Sequence, residues 1–281
     1  MKNPNEQVAY WITEREKIRV QHDEGQRKPW TADTTLERYR FCNVRREDDR
    51  VTRWLKKYWR DPNEGHENMT AAMLLARMVN WPPTLDLIGF PLTWDPQRIV
   101  DAIHACMSEG KAWSAAYVVT TCGVSMDKAL YVVQTAGLAA GNPTYTPAPA
   151  DTLAGFWTRL KTIPGLGAGF LAAQVVADLK YLKPLSGAAD WGNWATPGPG
   201  SRRGINRYFN LALDAKLPAI EWLARLHQVR SEVEDLLPAH LRDIHAQDWQ
   251  NVMCEWDKYQ RTVLGEGRPR SNYRPETAYE I

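Results

Sequence analysis

The segment Ile163-Pro-Gly-Leu-Gly-Ala-Gly-Phe-Leu-Ala-Ala-Gln174 constrains the fold more than any other part of the chain. A helical pattern ends near Lys161 and meets Pro164. Gly165 and Gly167 then offer backbone shapes that a Cβ resists, and an apolar helical run follows (Phe170, Leu171, Val175, Val176, Leu179). This pattern predicts a helix-hairpin-helix over about residues 152–180. In that geometry the backbone N–H groups around Gly165, Gly167 and Gly169 face outward and hold a nucleic-acid phosphate without reading a base. A plain Pro-Gly turn between two helices satisfies the same residues, and both readings stand at this level.

Helical periodicity continues through most of the chain. Thr34 to Tyr58 opens on Thr-Thr-Leu-Glu, the spacing of a capping box, with a break near Asn43. Thr70 to Asn80 is apolar at helical spacing and stops before Trp81-Pro-Pro. Asp95-Pro-Gln-Arg places a cap and a first-turn proline ahead of a helix reaching Ser108. Further helices are predicted over 125–139, 151–161, 203–213, 218–236 and 244–263. Trp113 to Thr121 is a candidate short strand. The loops 141–150 and 184–204 are rich in Pro and Gly, and the second carries Asp190, Trp191 and Trp194. That pair of tryptophans fits either a core or a stacking site. The expected fold is mainly α: one helical body over residues 1–281, with a polar tail from about 267.

Several classes are disfavoured. No run of about 18 apolar residues occurs, so no membrane span is expected. The start, Met1-Lys-Asn-Pro-Asn-Glu, lacks the apolar stretch of a secretion signal, and a cytoplasmic protein is expected. Four cysteines and six histidines are scattered without ligand spacing. Neither a metal nor another cofactor is expected.

The formal net charge is only +2, but its distribution is uneven. Residues 34–60 hold nine Lys/Arg against four Asp/Glu, and residues 258–274 hold five against one. Ser201-Arg-Arg-Gly-Ile-Asn-Arg207 adds three arginines. Such segments are either solvated helix faces or a binding surface for a polyanion. On the second reading Arg207, Arg268 and Arg270 join the glycine corner as DNA-binding residues.

A hairpin followed by a Gly/Pro-rich loop and an aspartate resembles the DNA glycosylase superfamily. Asp190 stands in the place of that family's catalytic aspartate, 25 residues after Gly165. Glycosylases with lyase activity carry a lysine where this chain has Gly169, which disfavours lyase chemistry. Three strings narrow the resemblance: Arg40-Phe-Cys-Asn-Val-Arg-Arg-Glu-Asp-Asp-Arg-Val-Thr52, Gly198-Pro-Gly-Ser-Arg-Arg-Gly-Ile-Asn-Arg207 and Cys254-Glu-Trp-Asp-Lys-Tyr-Gln-Arg261. With the hairpin, they resemble the phage amino acid:DNA transferases, or α-glutamyl/putrescinyl-thymine pyrophosphorylases. The helical domain of the phage 5-hydroxymethyluracil DNA kinases is a relative. No Gly-x-x-x-x-Gly-Lys-[Ser/Thr] occurs, which favours the transferase over the kinase.

This resemblance implies a reaction on double-stranded DNA in the host cytoplasm, carried out by a phage-encoded enzyme. A 5-hydroxymethyluracil DNA kinase acts first. The transferase then replaces the phosphate or pyrophosphate on the methylene carbon with an amine, for which glycine is the expected donor. Such chemistry needs an everted base, cations for the leaving phosphate and a carboxylate for the ammonium proton. Arg202, Arg203 and Arg46 are the candidates for the first need, with plain backbone-phosphate binding as the alternative. Asp190 is the first candidate for the second and Glu255 the next. Glu47 and Asp49 are weaker, since helix carboxylates often pair with neighbouring arginines. Lys258 or Arg45 would hold an amino-acid carboxylate. Asn43 and Asn206 would meet the uracil edge, or else brace a loop. Tyr259, one turn from Glu255, and Trp191 complete the substrate-binding set. A base-excision glycosylase and a non-catalytic duplex-binding module remain as alternatives.

Overall fold

Asn3 and Pro4 start the first helix. Pro4 supplies the φ a helix needs and has no N–H to satisfy, and the Asn3 side chain accepts the Glu6 N–H at 3.0 Å. The computed structural model describes residues 3–114, 119–269 and 272, and within these it contains twelve α-helices. The first six are α1 (Pro4–Asp23), α2 (Thr34–Arg38), α3 (Arg50–Leu55), α4 (Met69–Val79), α5 (Pro82–Ile88) and α6 (Pro96–Ser108). The rest are α7 (Lys128–Gly137), α8 (Leu153–Leu160), α9 (Phe170–Leu179), α10 (Pro199–Tyr208), α11 (Ala219–Glu234) and α12 (Ala246–Val263). Extended pairing among the described residues amounts to a single bridge, Tyr39 with Asn272. The fold is mainly α, as the periodicity predicts.

The helices fall into two compact units. The first comprises residues 1–49 and 192–281, the second residues 50–191. In the first, α1, α2, α10, α11 and α12 surround a core rich in tryptophan. Trp11, Trp222, Trp249 and Trp256 are fully buried there with Ile12, Leu226, Val252 and Met253. Helix α10 lies close along α12 because Gly204 and Gly200 have no side chain. A Cβ on Gly204 would sit 2.1 Å from the Met253 carbonyl oxygen, and one on Gly200 would sit 2.2 Å from Cys254 Sγ.

In the second unit α4 is buried along its whole length and packs against α7 and α9. An apolar helix without a polar face can only be central. Its one charge, Arg77, forms a two-pronged ion pair with Asp178 of α9, and Arg77 also donates to Thr52 Oγ1 of α3 at 2.9 Å. Helix α4 ends at Asn80, which takes the left-handed conformation at φ 49°.

Several expectations need correction. Helices α1 and α5 have no counterpart in the periodicity reading. Arg15 and Glu16 of α1 are buried among apolar residues, which blurs its amphipathic stripe. The prolines after Trp81 open α5 rather than merely ending α4. Thr34 to Tyr58 is not one helix: α2 stops at Arg38 and an extended segment leads to a single 3-10 turn at Arg46–Asp48. The cap of α2 is Asp33, which accepts the Thr35 and Leu36 N–H groups, while Glu37 turns away to accept the Trp30 N–H. Helix α10 begins at Pro199, inside the expected loop, because the Ser201 hydroxyl accepts the Gly198 N–H at 2.9 Å. Of the expected strand, residues 115–118 lie outside the described residues and the flanking ones form no strand.

Candidate functional site

The extended segment from Phe41 to Val44 carries two consecutive amides that each hold a carboxylate. Cys42 N–H donates to Glu255 Oε2 at 2.9 Å, and Asn43 N–H donates to Asp49 Oδ1 at 2.9 Å. Side chains elsewhere fix this backbone. The Arg15 guanidinium donates to the carbonyls of Phe41 and Cys42 and to Asn43 Oδ1. Asn251 of α12 donates to the Asn43 carbonyl, and Asp248 accepts the Arg46 N–H at 3.0 Å. Residues from α1, the 41–49 segment and α12 therefore build one polar cluster in the first unit.

Its electrostatics follow from partial burial. Burial pushes the Asp49 carboxyl above the ordinary carboxylate value, against the opposing pulls of the Asn43 amide, Arg46 and Arg15; Glu255 adds to the rise. Asp49 Oδ2 has no hydrogen-bond partner among the described residues. Glu255 is ion-paired to Lys258 Nζ at 2.5 Å. Burial lowers the Lys258 ammonium pKa, but Glu255, Cys42 and Cys254 together outweigh it, so the net shift is upward and the group stays charged at neutral pH. The Cys42 thiol is raised well above its usual value by burial and by Glu255 and Asp49, and Cys254 is raised to about 12, mainly by burial. Both are protonated at neutral pH, so neither is a ready nucleophile.

The remaining candidates of this unit divide by what already holds them. Arg45 is committed to Asp243 at 2.5 Å and to the His240 carbonyl at 2.6 Å. Arg202 donates to the Leu217 carbonyl at 2.6 Å. Arg203 and Arg207 pair with buried Asp257, and Arg207 also pairs with Glu266. Arg46 stays half-exposed beside Asp49. The Asn43 amide is spent within its own segment, with its oxygen on Arg15 and its NH2 on the Asp48 carbonyl. Asn206 is fully buried and donates to the carbonyls of Leu213 and Ala215, so it braces a loop rather than facing a base. Tyr259 is buried too. Its hydroxyl donates to Asp33 Oδ2 at 2.7 Å, which removes it from the substrate set. Arg268 is exposed, and Arg270 lies outside the described residues.

Asp190, Trp191 and the glycine corner belong to the second unit. Gly165 and Gly169 have φ of +88° and +79°, whereas Gly167 does not have positive φ. The second special position is thus Gly169. A Cβ on Gly165 would meet the Tyr131 hydroxyl at 2.2 Å, and one on Gly169 would meet the Trp157 ring at 2.7 Å. Gly165 and Gly167 are exposed and Gly169 is buried. Gly169 opens α9 without a side-chain cap. Trp194 is buried, while Trp191 is half-buried with its indole N–H on the Lys180 carbonyl at 2.7 Å.

Asp190 brackets the start of α8: its two oxygens accept the Leu153 N–H at 2.7 Å and the Ala154 N–H at 3.0 Å. A carboxylate at a helix N-terminus is favoured by the orphan amides and the dipole. Asp190→Asn turns one acceptor into a donor. It should cost about 1–3 kcal/mol of stability, read as a lower urea midpoint, with duplex affinity and any activity falling together. Unchanged stability with lost activity would return Asp190 to a chemical role.

The sequence reading missed Arg15, because the helix carrying it was not foreseen. It also missed Asp257 and Arg261, although these stand four apart within the Cys254–Arg261 string and so share a helical face. Among the described residues no group of three or more His, Cys, Asp or Glu is placed to hold a metal, and no helix is long and apolar enough to cross a membrane.

Most of the cluster comes from the Arg40–Thr52 and Cys254–Arg261 strings, with Arg15, Asp248 and Asn251 added. Residues 3–268 match the family described as "5-hmdU DNA kinase, helical domain". The chain belongs to that family. A 5-hmdU DNA kinase of Bacillus phage SP10 is 27% identical over 273 residues, covering 84% of this chain and 41% of that protein. The chain thus spans less than half the length of this relative. No solved structure matches.

Proposed function

We propose that this protein is an amino acid:DNA transferase of thymine hypermodification. It replaces the phosphate or pyrophosphate of phosphorylated 5-hydroxymethyluracil in duplex DNA with an amine, glycine being the expected donor. The observation that carries this reading is the half-buried Asp49 carboxylate, raised above its usual pKa beside Arg46 and next to the Glu255–Lys258 pair. Amine-for-phosphate replacement needs a proton acceptor and cations together, and this cluster supplies both.

In this reading the everted base presents its methylene carbon to the cluster. Asp49 takes a proton from the incoming ammonium, freeing the nitrogen lone pair. That pair forms the new C–N bond as the C–O bond breaks, and the bonding electrons leave on the phosphate oxygen. Arg46 balances the charge that develops there. Arg203 and Arg202 serve the same phosphate or its neighbours in the backbone. Lys258 holds the amino-acid carboxylate, sharing its charge with Glu255. The glycine corner of the second unit grips backbone phosphate through the amides at the start of α9, and Asp190 fixes the helix before it.

The test is mass analysis of nucleosides after incubation with duplex carrying phosphorylated 5-hydroxymethyluracil and with candidate amines. A nucleoside whose mass equals that of the phosphorylated one plus the amine less the expelled phosphoric or pyrophosphoric acid supports transfer. A lost base would mean a glycosylase, and unchanged DNA a binding module. A second reading rests on the phage relative's name: the chain positions 5-hydroxymethyluracil DNA for phosphorylation. It predicts binding of unphosphorylated 5-hydroxymethyluracil duplex, gain of phosphate only when a separate kinase and ATP are supplied, and no amine transfer.

A further inference from the structure

Three arginines converge on one buried carboxylate at the seam of α10 and α12. Asp257 is only 2% exposed at its side chain. Arg207 Nε lies 3.0 Å from its Oδ1, and Arg203 Nε and Arg261 Nε lie 3.2 and 3.5 Å from its Oδ2. All three reach Asp257 through Nε, and Arg207 gives both of its terminal nitrogens to Glu266. Arg203 and Arg261 are more than a third exposed. Residues 203 and 207 are one turn apart on α10, as 257 and 261 are on α12, so the two helices present the guanidiniums as one platform.

The chain already places an anion there. Beyond α12, Gly265 takes φ +72° and the Glu266 N–H returns to the Arg261 carbonyl at 2.8 Å. This turn sets the Glu266 carboxylate on Arg207 as a two-pronged fork, Oε1 to Nη1 at 3.1 Å and Oε2 to Nη2 at 2.5 Å. The Glu266 pKa is lowered by Arg207 first, and Arg203 and Arg261 contribute as well. One exposed carboxylate thus sits in the field of all three arginines. Two carboxylate oxygens on an arginine fork have the spacing of two phosphate oxygens.

We infer that Arg203, Arg207 and Arg261, set by Asp257, form a phosphate-binding platform that Glu266 occupies until a phosphate oxyanion displaces it. The ligand is either a backbone phosphodiester of duplex DNA or a phosphomonoester such as free phosphate. Asp257 is a positioning residue, because it acts through the arginines. Glu266 is a built-in competitor that weakens binding of non-cognate anions. This inference goes beyond the amine-transfer reading and does not depend on it, because its readout is binding.

The test uses the full chain, a short unmodified duplex followed by fluorescence anisotropy, and inorganic phosphate followed by phosphorus NMR. Glu266→Gln should tighten binding about fivefold, the effect of removing one exposed ion pair as competitor. A gain with duplex alone assigns the site to backbone phosphodiester, and a gain with inorganic phosphate assigns it to the monoester. Glu24→Gln, an equal charge change on the exposed C-terminal cap of α1, should give no comparable gain. Adding Arg207→Gln to Glu266→Gln should abolish the gain. The inference is overturned if Glu266→Gln tightens neither ligand, if Glu24→Gln matches it, or if the gain survives loss of Arg207.

Discussion

Asp49→Asn is expected to slow amine transfer by about 10²–10⁴-fold, the usual contribution of a positioned general base, with duplex affinity within a few-fold of the parent. Single-turnover rates at saturating DNA check this, because they separate the chemical step from binding. The parent rate should fall as pH drops through the Asp49 pKa, which lies above the ordinary carboxylate value. That acidic limb should be missing in the variant. Stability gives an independent readout. A carboxyl whose folded pKa is raised binds its proton more tightly in the folded state, so it adds stability as pH falls and subtracts it at neutral pH. Asparagine carries no charge there and still offers an oxygen to the Asn43 N–H. The variant should therefore be at least as stable as the parent at neutral pH. A parent-like transfer rate would remove Asp49 from the chemistry, and an unfolded variant would mark it as structural.

Arg77→Met is expected to cost the second unit about 3–5 kcal/mol, as loss of one partner from a buried ion pair does. Both side chains of the Arg77–Asp178 pair are at most 3% exposed. Removing the guanidinium strands the Asp178 carboxylate between α4 and α9 and leaves Thr52 without that donor. Against a typical total of about 5–15 kcal/mol, such a loss leaves little stability. Replacing both partners with apolar residues, Arg77→Met with Asp178→Leu, should recover much of it, because neither charge of the pair is then left buried without its partner. Urea unfolding measures both variants. A single variant costing under about 1 kcal/mol would show that the pair is solvated in solution.

How much was legible in the sequence differs from element to element. Helix α6 was read almost to the residue, because its signals are local: Asp95 accepts the Arg98 N–H and Pro96 takes the first helical position. Helix α4 was equally clear from an unbroken apolar run. Helix α1 escaped notice although Asn3 and Pro4 give the same kind of start signal. Its interior places Arg15 and Glu16 where periodicity expects apolar side chains. The Thr34–Tyr58 stretch was misread because its helical propensity is real, but the backbone amides of Cys42 and Asn43 find carboxylates instead of a helix.

The candidate site shows the same division. The sequence by itself determined the helical class, most helix boundaries and the relation to the helical domain of the phage 5-hydroxymethyluracil DNA kinases. All of these rest on neighbours within a turn or two along the chain. Only the tertiary structure decided which carboxylate is spent on helix amides and which is desolvated. Asp190 and Asp49 are the same residue type. One is saturated by the amides of α8, while the other is half-buried with an oxygen to spare, next to a glutamate more than 200 positions away. Desolvation, hydrogen-bond saturation and the field of distant charges set a group's acidity, and none of these is defined until the chain has folded.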